Sequence, residues 1–159
     1  MKREFLMDME QVYRDEFAQL AEHLRGVSDA DFDQASWCGC VGGHAMVMDG
    51  HFVDVDGAVR SLLNDDRRIG YVADMAPRKL GLEHWVSHWL LQTHWPAKIL
   101  RKLGKDVSGD VGEYKPTREE AIRLCEAFAG NTELAQDIEE ASLDMSIAWG
   151  EEVRAGQHG

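Results

Sequence analysis

Residues 116–153 read PTREEAIRLCEAFAGNTELAQDIEEASLDMSIAWGEEV and decide the fold class that the sequence predicts. Thr117, followed three residues later by Glu120, forms a capping box, which marks the start of a helix. Apolar residues then recur at helical spacing up to Gly130, which ends that helix, and again along residues 132–153. Two consecutive amphipathic helices are therefore predicted near this end of the chain.

The rest of the chain also shows helical patterns. The clearest is an apolar stripe in residues 82–90, which contains two tryptophans and which we expect to lie in the core. Residues 51–55 alternate weakly in polarity but have no evident partner strand. We therefore predict an all-α fold, a compact single-domain bundle of about six to eight helices, several of them short. Residues 1–3 and 155–159 are expected to fray. The other predicted helical segments are residues 4–25, 38–48, 55–63, 71–80 and 97–103.

Length and composition fit one domain over residues 1–159. Apolar residues make up 44% of the chain, which also has five tryptophans, enough for a proper core. No apolar run reaches the length of a membrane span, and the start of the chain lacks the apolar stretch of a secretory signal. We therefore expect a cytoplasmic protein without a membrane partner. Three cysteines are too few for a disulfide framework, so reduced thiols are expected.

The formal net charge of −12 is unevenly distributed. Residues 1–36 hold nine acidic and four basic residues, and residues 131–159 hold seven acidic and one basic. Residues 66–105 hold eight basic and three acidic residues. A chain this acidic is repelled by phosphate backbones, so no direct nucleic-acid binding is expected. The acidic ends are interpreted either as solvated helix faces or as a surface that meets a basic partner or imitates DNA.

The last predicted helix supplies the candidate partner-binding residues. Leu143 and Ile147 lie opposite its main apolar stripe, so its final turns are apolar all round. Such a helix is buried on two sides or forms an interface. We expect burial or self-association into a homo-oligomer ahead of a foreign partner. The candidate partner-binding residues are Glu133, Asp137, Glu139, Glu140, Leu143 and Ile147.

The most unusual local sequence is WCGCVGGH at residues 37–44. It contains three candidate zinc ligands, the thiolates of Cys38 and Cys40 and the imidazole of His44. The Cys-x-Cys spacing is shorter than that of paired cysteines in structural zinc sites, so we expect no cofactor and keep zinc as the alternative. The glycines are interpreted as points of close packing, because the lysine of a phosphate-binding loop is absent. The candidates for a fourth zinc ligand are His51, His84 and His88.

Catalytic motifs are absent from the sequence. It lacks a Gly-x-Ser-x-Gly elbow, and acidic pairs are too numerous in so acidic a chain to identify an acid/base pair. His84 and His88 have the four-residue spacing of a metal-ligand pair but lack the glutamate that a metalloprotease helix places after its first histidine. We therefore predict no catalytic residues and a protein that is not an enzyme.

Residues 31–45 carry a family resemblance. The run from Asp31-Phe32-Asp33 through WCGCVGGHA resembles a segment of small phage and bacterial proteins, in which Phe-Asp leads to cysteines and then to Cys-Ile/Val-Ala-Gly-His/Trp-Ala. Residues 80–82, Leu-Gly-Leu, resemble a later element of the same proteins. In this chain the cysteines are closer together, and Gly42 replaces the usual alanine. These relatives have no assigned activity.

The resemblance implies a phage accessory protein, made inside an infected actinobacterium. Proteins of that kind commonly act by binding a host protein. The predicted function is therefore non-enzymatic binding of a host protein through an acidic or apolar helical surface. The alternatives are a small metal-binding protein or hydrolase that uses Cys38, Cys40 and His44, and a DNA mimic.

Overall fold

The structure, a computed structural model, describes residues 10–61, 67–82, 86, 89–107 and 112–158, with the backbone alone for residues 146–158. Within these ranges the chain forms six α-helices, a 3-10 helix at Asp29–Asp31 and five β-strands. The helices are α1 (Gln11–Arg25), α2 (Val41–Val47), α3 (Val72–Leu80), α4 (Ala97–Lys102), α5 (Arg118–Gly130) and α6 (Glu133–His158). The strands are β1 (His51–Val53), β2 (Ala58–Ser61), β3 (Arg68–Tyr71), β4 (Trp95–Pro96) and β5 (Glu113–Tyr114).

The prediction of an all-α fold is wrong. Helix accounts for 57% of the structure, and the five strands form two antiparallel sheets, so the fold is mixed α/β. The larger sheet has the order β1-β2-β3, and the smaller sheet pairs β4 with β5. The strands are two to four residues long. Strands this short show too little alternation of polar and apolar residues to be recognised in a sequence.

A hairpin turn and strand β2 replace the helix predicted over residues 55–63, of which residues 62 and 63 lie outside the described ranges. The Asp54 N–H donates to the Ala58 carbonyl at 2.9 Å, and the Gly57 N–H donates to the Asp54 carbonyl at 3.0 Å, which closes the turn between β1 and β2. Gly57 has a φ of 89°, a left-handed conformation that favours glycine. A Cβ at this position would lie 3.1 Å from the indole of Trp37, so the turn packs directly on that ring.

The helices predicted near the carboxyl end are confirmed. The Thr117 hydroxyl accepts the Glu120 N–H at 3.2 Å, and the Glu120 carboxylate accepts the Thr117 N–H at 2.8 Å. Both halves of the capping box are therefore present, and α5 ends at Gly130 as predicted. The predicted start of a helix after Pro96 is also confirmed, because α4 begins at Ala97.

The two ends of the chain differ in how much of them the structure describes. Residues 155–158, predicted to fray, are helical. The predicted frayed residues 1–3 and residue 159 lie outside the described ranges. No helix in the described part of the chain is long and apolar enough to cross a bilayer.

One core cluster joins the helices and the larger sheet. Phe17 of α1 contacts Phe128 of α5, with ring centroids 5.2 Å apart. The Trp89 indole N–H donates to the Ser142 hydroxyl of α6 at 2.8 Å, which satisfies a polar atom that would otherwise be buried without a partner. Trp85 of the predicted stripe lies outside the described residues. The buried members of the predicted stripe are Val86, Trp89 and Leu90.

The larger sheet is packed on one face and open on the other. Val53 and Val59 are buried, on the side where α2 contacts β1 and α3 contacts β3. Phe52, which points to the opposite face because side chains alternate along a strand, is 52% exposed. The open face of the sheet is therefore accessible to solvent.

Candidate functional site

The two cysteines proposed as zinc ligands lie at the start of α2. Cys40 is the N-cap residue, and its Sγ accepts the Gly43 N–H at 3.3 Å. Burial raises the pKa of the Cys40 thiol, which disfavours the thiolate that binds a metal. Cys38 is half-buried, and its Sγ lies 3.1 Å from the Ser36 hydroxyl. Both sulfurs therefore have hydrogen-bond partners within the fold.

The buried His44 forms a hydrogen-bonded pair with the half-buried His23. The Nε2 of His44 lies 3.1 Å from the Asp31 carbonyl, and its Nδ1 lies 3.0 Å from the Nε2 of His23. Because a carbonyl oxygen only accepts, the neutral pair has one arrangement, in which His44 donates to Asp31 and accepts from His23. The Phe32 ring stacks on His44, with centroids 6.2 Å apart. Burial lowers the pKa of both imidazoles, which favours their neutral forms.

Each of the three candidate ligands therefore has a hydrogen-bonding contact within the fold. In the described part of the chain, no three His, Cys, Asp or Glu side chains are grouped as metal ligands would be. Of the candidates for a fourth ligand, His51 begins β1, while His84 and His88 lie outside the described residues. The structure thus uses Cys40 and His44 to hold α2 in place.

The glycines of this segment allow close packing, as predicted. A Cβ at Gly43 would overlap the carbonyl oxygen of Trp37. A Cβ at Gly42 would lie 2.8 Å from side-chain atoms of Val72 and Leu91. Helix α2 therefore lies against its neighbours at a distance that only glycine permits.

Gln34 joins the same segment to a distant part of the chain. Its side chain is buried, and its Nε2 donates to the carbonyl oxygens of Leu90 and Gln92, both at 2.9 Å. Its Oε1 accepts the Val41 N–H at 3.1 Å, in the first turn of α2. One amide therefore satisfies three backbone groups, which fixes α2 relative to residues 90–92.

The carboxylates predicted to bind a partner do not all face solvent. Glu139 is only 3% exposed and points into the protein. Leu143 is half-buried, and the side chain of Ile147 lies outside the described residues. The other three predicted carboxylates, together with Asp144, which was not predicted, recur at helical spacing and lie along one side of α6. This acidic row consists of the exposed residues Glu133, Asp137, Glu140 and Asp144.

The open face of the larger sheet is a surface that the sequence analysis missed. Of the seven large apolar side chains that are exposed in the described part of the chain, four lie in or beside this sheet. Phe52, Ile69 and Tyr71 are 52%, 46% and 40% exposed, and Val55 at the hairpin tip is 86% exposed. Exposed apolar side chains that cluster in this way mark interaction sites. The sheet surface is defined as Phe52, Arg68, Ile69 and Tyr71.

A β-bulge brings these side chains to one face. Phe52 pairs with Arg60, and Arg60 pairs with Arg68, so the three side chains share a face. The register between β2 and β3 shifts beside Arg60, because β3 contains the extra residue Ile69. At a bulge two residues oppose one, which places Arg68 and Ile69 together opposite Arg60.

Arg68 is held by an aromatic ring. Its Nη1 donates to the Tyr71 hydroxyl at 2.8 Å, and its guanidinium lies over the Tyr71 ring, 5.3 Å from the centroid. Arg60 pairs with Asp54, whereas neither Arg67 nor Arg68 has a carboxylate partner among the described residues. The remaining N–H donors of Arg68 are therefore oriented and open to an anionic group.

Strand β3 lies at an edge of the described sheet, but it is a poor template for another strand. It is four residues long, is interrupted by the bulge, begins with Arg68 and directly follows Arg67. Short length, bulges and basic side chains are the features by which proteins block edge pairing. Recognition is therefore expected through the face of the sheet rather than through its edge.

The surface as a whole offers recognition chemistry, with aromatic, aliphatic and guanidinium groups side by side on a sheet. No protein-family model matches this chain, and neither a curated protein nor a solved structure matches it. The chemistry of the sheet surface and of the acidic row is therefore the basis for proposing a function.

Proposed function

We propose that this chain is a phage-type accessory protein that acts without catalysis, by binding a protein of the host cell. The sheet surface carries the proposal, because three large apolar side chains and an arginine are exposed together on one face. The resemblance of residues 31–45 to small phage and bacterial proteins supports a phage origin.

The residue types of the sheet surface fit a protein partner. Aromatic residues and arginine are enriched at the centres of protein interfaces, and tyrosine and arginine are frequent hot spots. The Arg68 guanidinium already lies against the Tyr71 ring, so little side-chain freedom is lost when a partner binds. Phe52 and Ile69 project from paired strands. The surface is therefore organised before binding.

A nucleic acid is a less suitable partner. Exposed aromatic rings and arginines also bind single strands by stacking, so residue types alone do not distinguish the two classes. The net charge of −12 does distinguish them, because it repels a phosphate backbone and attracts a basic protein. The acidic row on α6 strengthens that attraction and guides the approach of a basic partner.

The test compares two double variants of the tagged protein. Phe52→Ser with Ile69→Ser removes apolar side chains from the sheet surface, and Val12→Ser with Val47→Ser removes exposed apolar side chains elsewhere. A partner captured from an actinobacterial lysate is identified, purified and titrated by calorimetry. We expect the sheet variant to bind at least about tenfold more weakly and the control variant to bind like the original chain.

Three outcomes contradict the proposal. Equal affinities of the sheet and control variants would remove the sheet surface as the binding site, and recovery of nucleic acid alone would change the class of partner. The third outcome is the capture of a DNA-binding protein that added DNA displaces. Charge reversal of Glu133, Asp137 and Glu140 would then abolish its capture, whereas the sheet variant would still bind it. That outcome establishes the DNA mimic instead.

The small metal-binding protein or hydrolase is the competing proposal, and it rests on the Cys38, Cys40 and His44 segment. Elemental analysis of purified protein tests it directly. About one zinc per chain, lost on Cys38→Ala, would support it, and less than about 0.2 metal per chain would exclude it.

A further inference from the structure

Arg68 lies among the exposed apolar side chains of the sheet surface. Across the sheet Arg68 pairs with Arg60, which pairs in turn with Phe52. The bulge places Ile69 directly beside Arg68. Phe52 and Ile69 are 52% and 46% exposed. A partner that covers both apolar side chains therefore also covers the Arg68 guanidinium.

The two arginines on this face differ in how their charges are compensated. Arg60 is paired with the Asp54 carboxylate. The Arg68 guanidinium contacts the ring and the hydroxyl of Tyr71, which are both uncharged. No carboxylate in the described part of the chain pairs with it. Arg68 therefore brings an uncompensated positive charge to the open face of the sheet.

Covering this guanidinium without a suitable partner group would be costly. A charge that is removed from water and left unpaired destabilises a complex, and a basic or purely apolar surface would leave Arg68 in that state. A neutral carbonyl would accept a hydrogen bond but would not compensate the charge. A carboxylate does both, because its two oxygens accept two parallel N–H groups of the guanidinium. The surface therefore selects a partner with a carboxylate.

We infer that the host protein places an aspartate or glutamate side chain on Arg68 and surrounds it with apolar side chains that cover Phe52 and Ile69. This inference rests on the proposed function, since it names the chemistry of the partner at the same surface. Tyr71 holds the guanidinium in position for the incoming carboxylate. The apolar contacts supply affinity, and the pairing of Arg68 supplies specificity, because partners without the carboxylate are penalised.

The net charge of −12 and a carboxylate at the contact act over different distances. The net charge attracts a partner that is basic overall, and at physiological ionic strength its field is screened beyond about 8 Å. The contact with Arg68 is made within about 4 Å. A basic host protein with one acidic residue inside its binding surface therefore satisfies both conditions.

Three small probes with the same apolar body and different charges test the inference without the host protein. Phenylpropionate carries a carboxylate, phenylpropanamide carries a neutral amide, and phenylpropylammonium carries a positive charge. Each probe is titrated at neutral pH into the isotope-labelled chain, and the amide signals of Phe52 and Ile69 are followed by NMR. We expect the carboxylate to reach half-saturation at a concentration at least about threefold lower than the other two probes.

Two single variants locate the charge preference. Arg68→Gln should remove the advantage of the carboxylate, because glutamine is uncharged. Lys102→Gln is the matched control, since it removes one exposed positive charge outside the sheet surface, and it should keep the advantage. The NMR spectrum of each variant verifies its fold. Three probes that bind equally, a carboxylate that leaves the Phe52 and Ile69 signals unchanged, or an advantage that survives Arg68→Gln would each overturn the inference.

The captured host protein gives a second readout that separates this inference from the proposed function. We expect Arg68→Gln to weaken that complex at least about tenfold in calorimetry and Lys102→Gln to leave it unchanged. If Phe52→Ser with Ile69→Ser weakens binding but Arg68→Gln does not, the inference fails and the proposed function stands. If neither change weakens binding, the proposed function fails at this surface and the inference fails with it.

Discussion

Replacing Gln34 with methionine is expected to lower the free energy of unfolding by about 2–6 kcal/mol. Methionine nearly keeps the volume of the side chain, but it removes all three hydrogen bonds. The Val41 N–H then loses its partner in the interior, at about 1–3 kcal/mol. The Leu90 carbonyl keeps the hydrogen bond from the Trp95 indole at 3.0 Å, so about 0.5–1.5 kcal/mol is lost there. The Gln92 carbonyl is only partly buried, so water replaces much of its lost bond, and about 0.5–1.5 kcal/mol is lost there.

The assay is urea unfolding monitored by tryptophan fluorescence. The dependence of the free energy of unfolding on urea concentration should be the same for the variant and the original chain. Gln92→Met is the matched control, because the Gln92 side chain is exposed and its loss should change stability by less than about 0.5 kcal/mol. A loss below about 1 kcal/mol for Gln34→Met would refute the argument that this amide fixes α2 to residues 90–92.

Two further predictions concern the same part of the fold. Burial lowers the pKa of His23 and His44 in the folded chain, so the unfolded chain binds protons more readily. The free energy of unfolding therefore has its full value above about pH 6.5 and falls as the solution is acidified below that pH. His44→Gln should flatten this fall between pH 6.5 and 5 in unfolding titrations, and equal slopes for both proteins would contradict the role of the pair. Gly43→Ala should lower the free energy of unfolding by about 3 kcal/mol, because its Cβ would overlap the Trp37 carbonyl. Gly26→Ala is the control, because a Cβ there meets only ordinary contacts, and its stability should stay within about 0.5 kcal/mol of the original chain. Similar losses of stability for the Gly43 and Gly26 variants would count against the close packing of α2.

The helices could be predicted because their signals are local. The capping box at Thr117 and the glycine that ends α5 lie within 14 residues of each other, counting from 117 to 130. The sheet could not be predicted in this way. Its strand pairing places Phe52 opposite Arg60 and Arg60 opposite Arg68, residues that are not neighbours in the sequence. The sequence of β3, Arg68-Ile69-Gly70-Tyr71, has no alternation because of the bulge.

The candidate site was predictable only in part. Three of the four residues in the acidic row could be named from the sequence because carboxylates repeat along the last helix, but Asp144 was not among them. The direction of Glu139 depends on tertiary packing. The sheet surface was missed because Phe52, Ile69 and Tyr71 look like ordinary core residues in a sequence. Their exposure appears only when the strands pair and one face of the sheet stays open.

The position of Trp37 bears on the order in which the chain folds. Its ring lies against Gly57 and its carbonyl against Gly43, so Trp37 joins the first hairpin turn to α2. Closing this loop of about twenty residues costs little conformational entropy. The hydrogen bond from Arg14 to Ala129, which joins α1 to α5, spans 115 residues. Contacts this distant form slowly. We therefore expect the segment around Trp37 to form early in folding and the docking of α5 on α1 to come later.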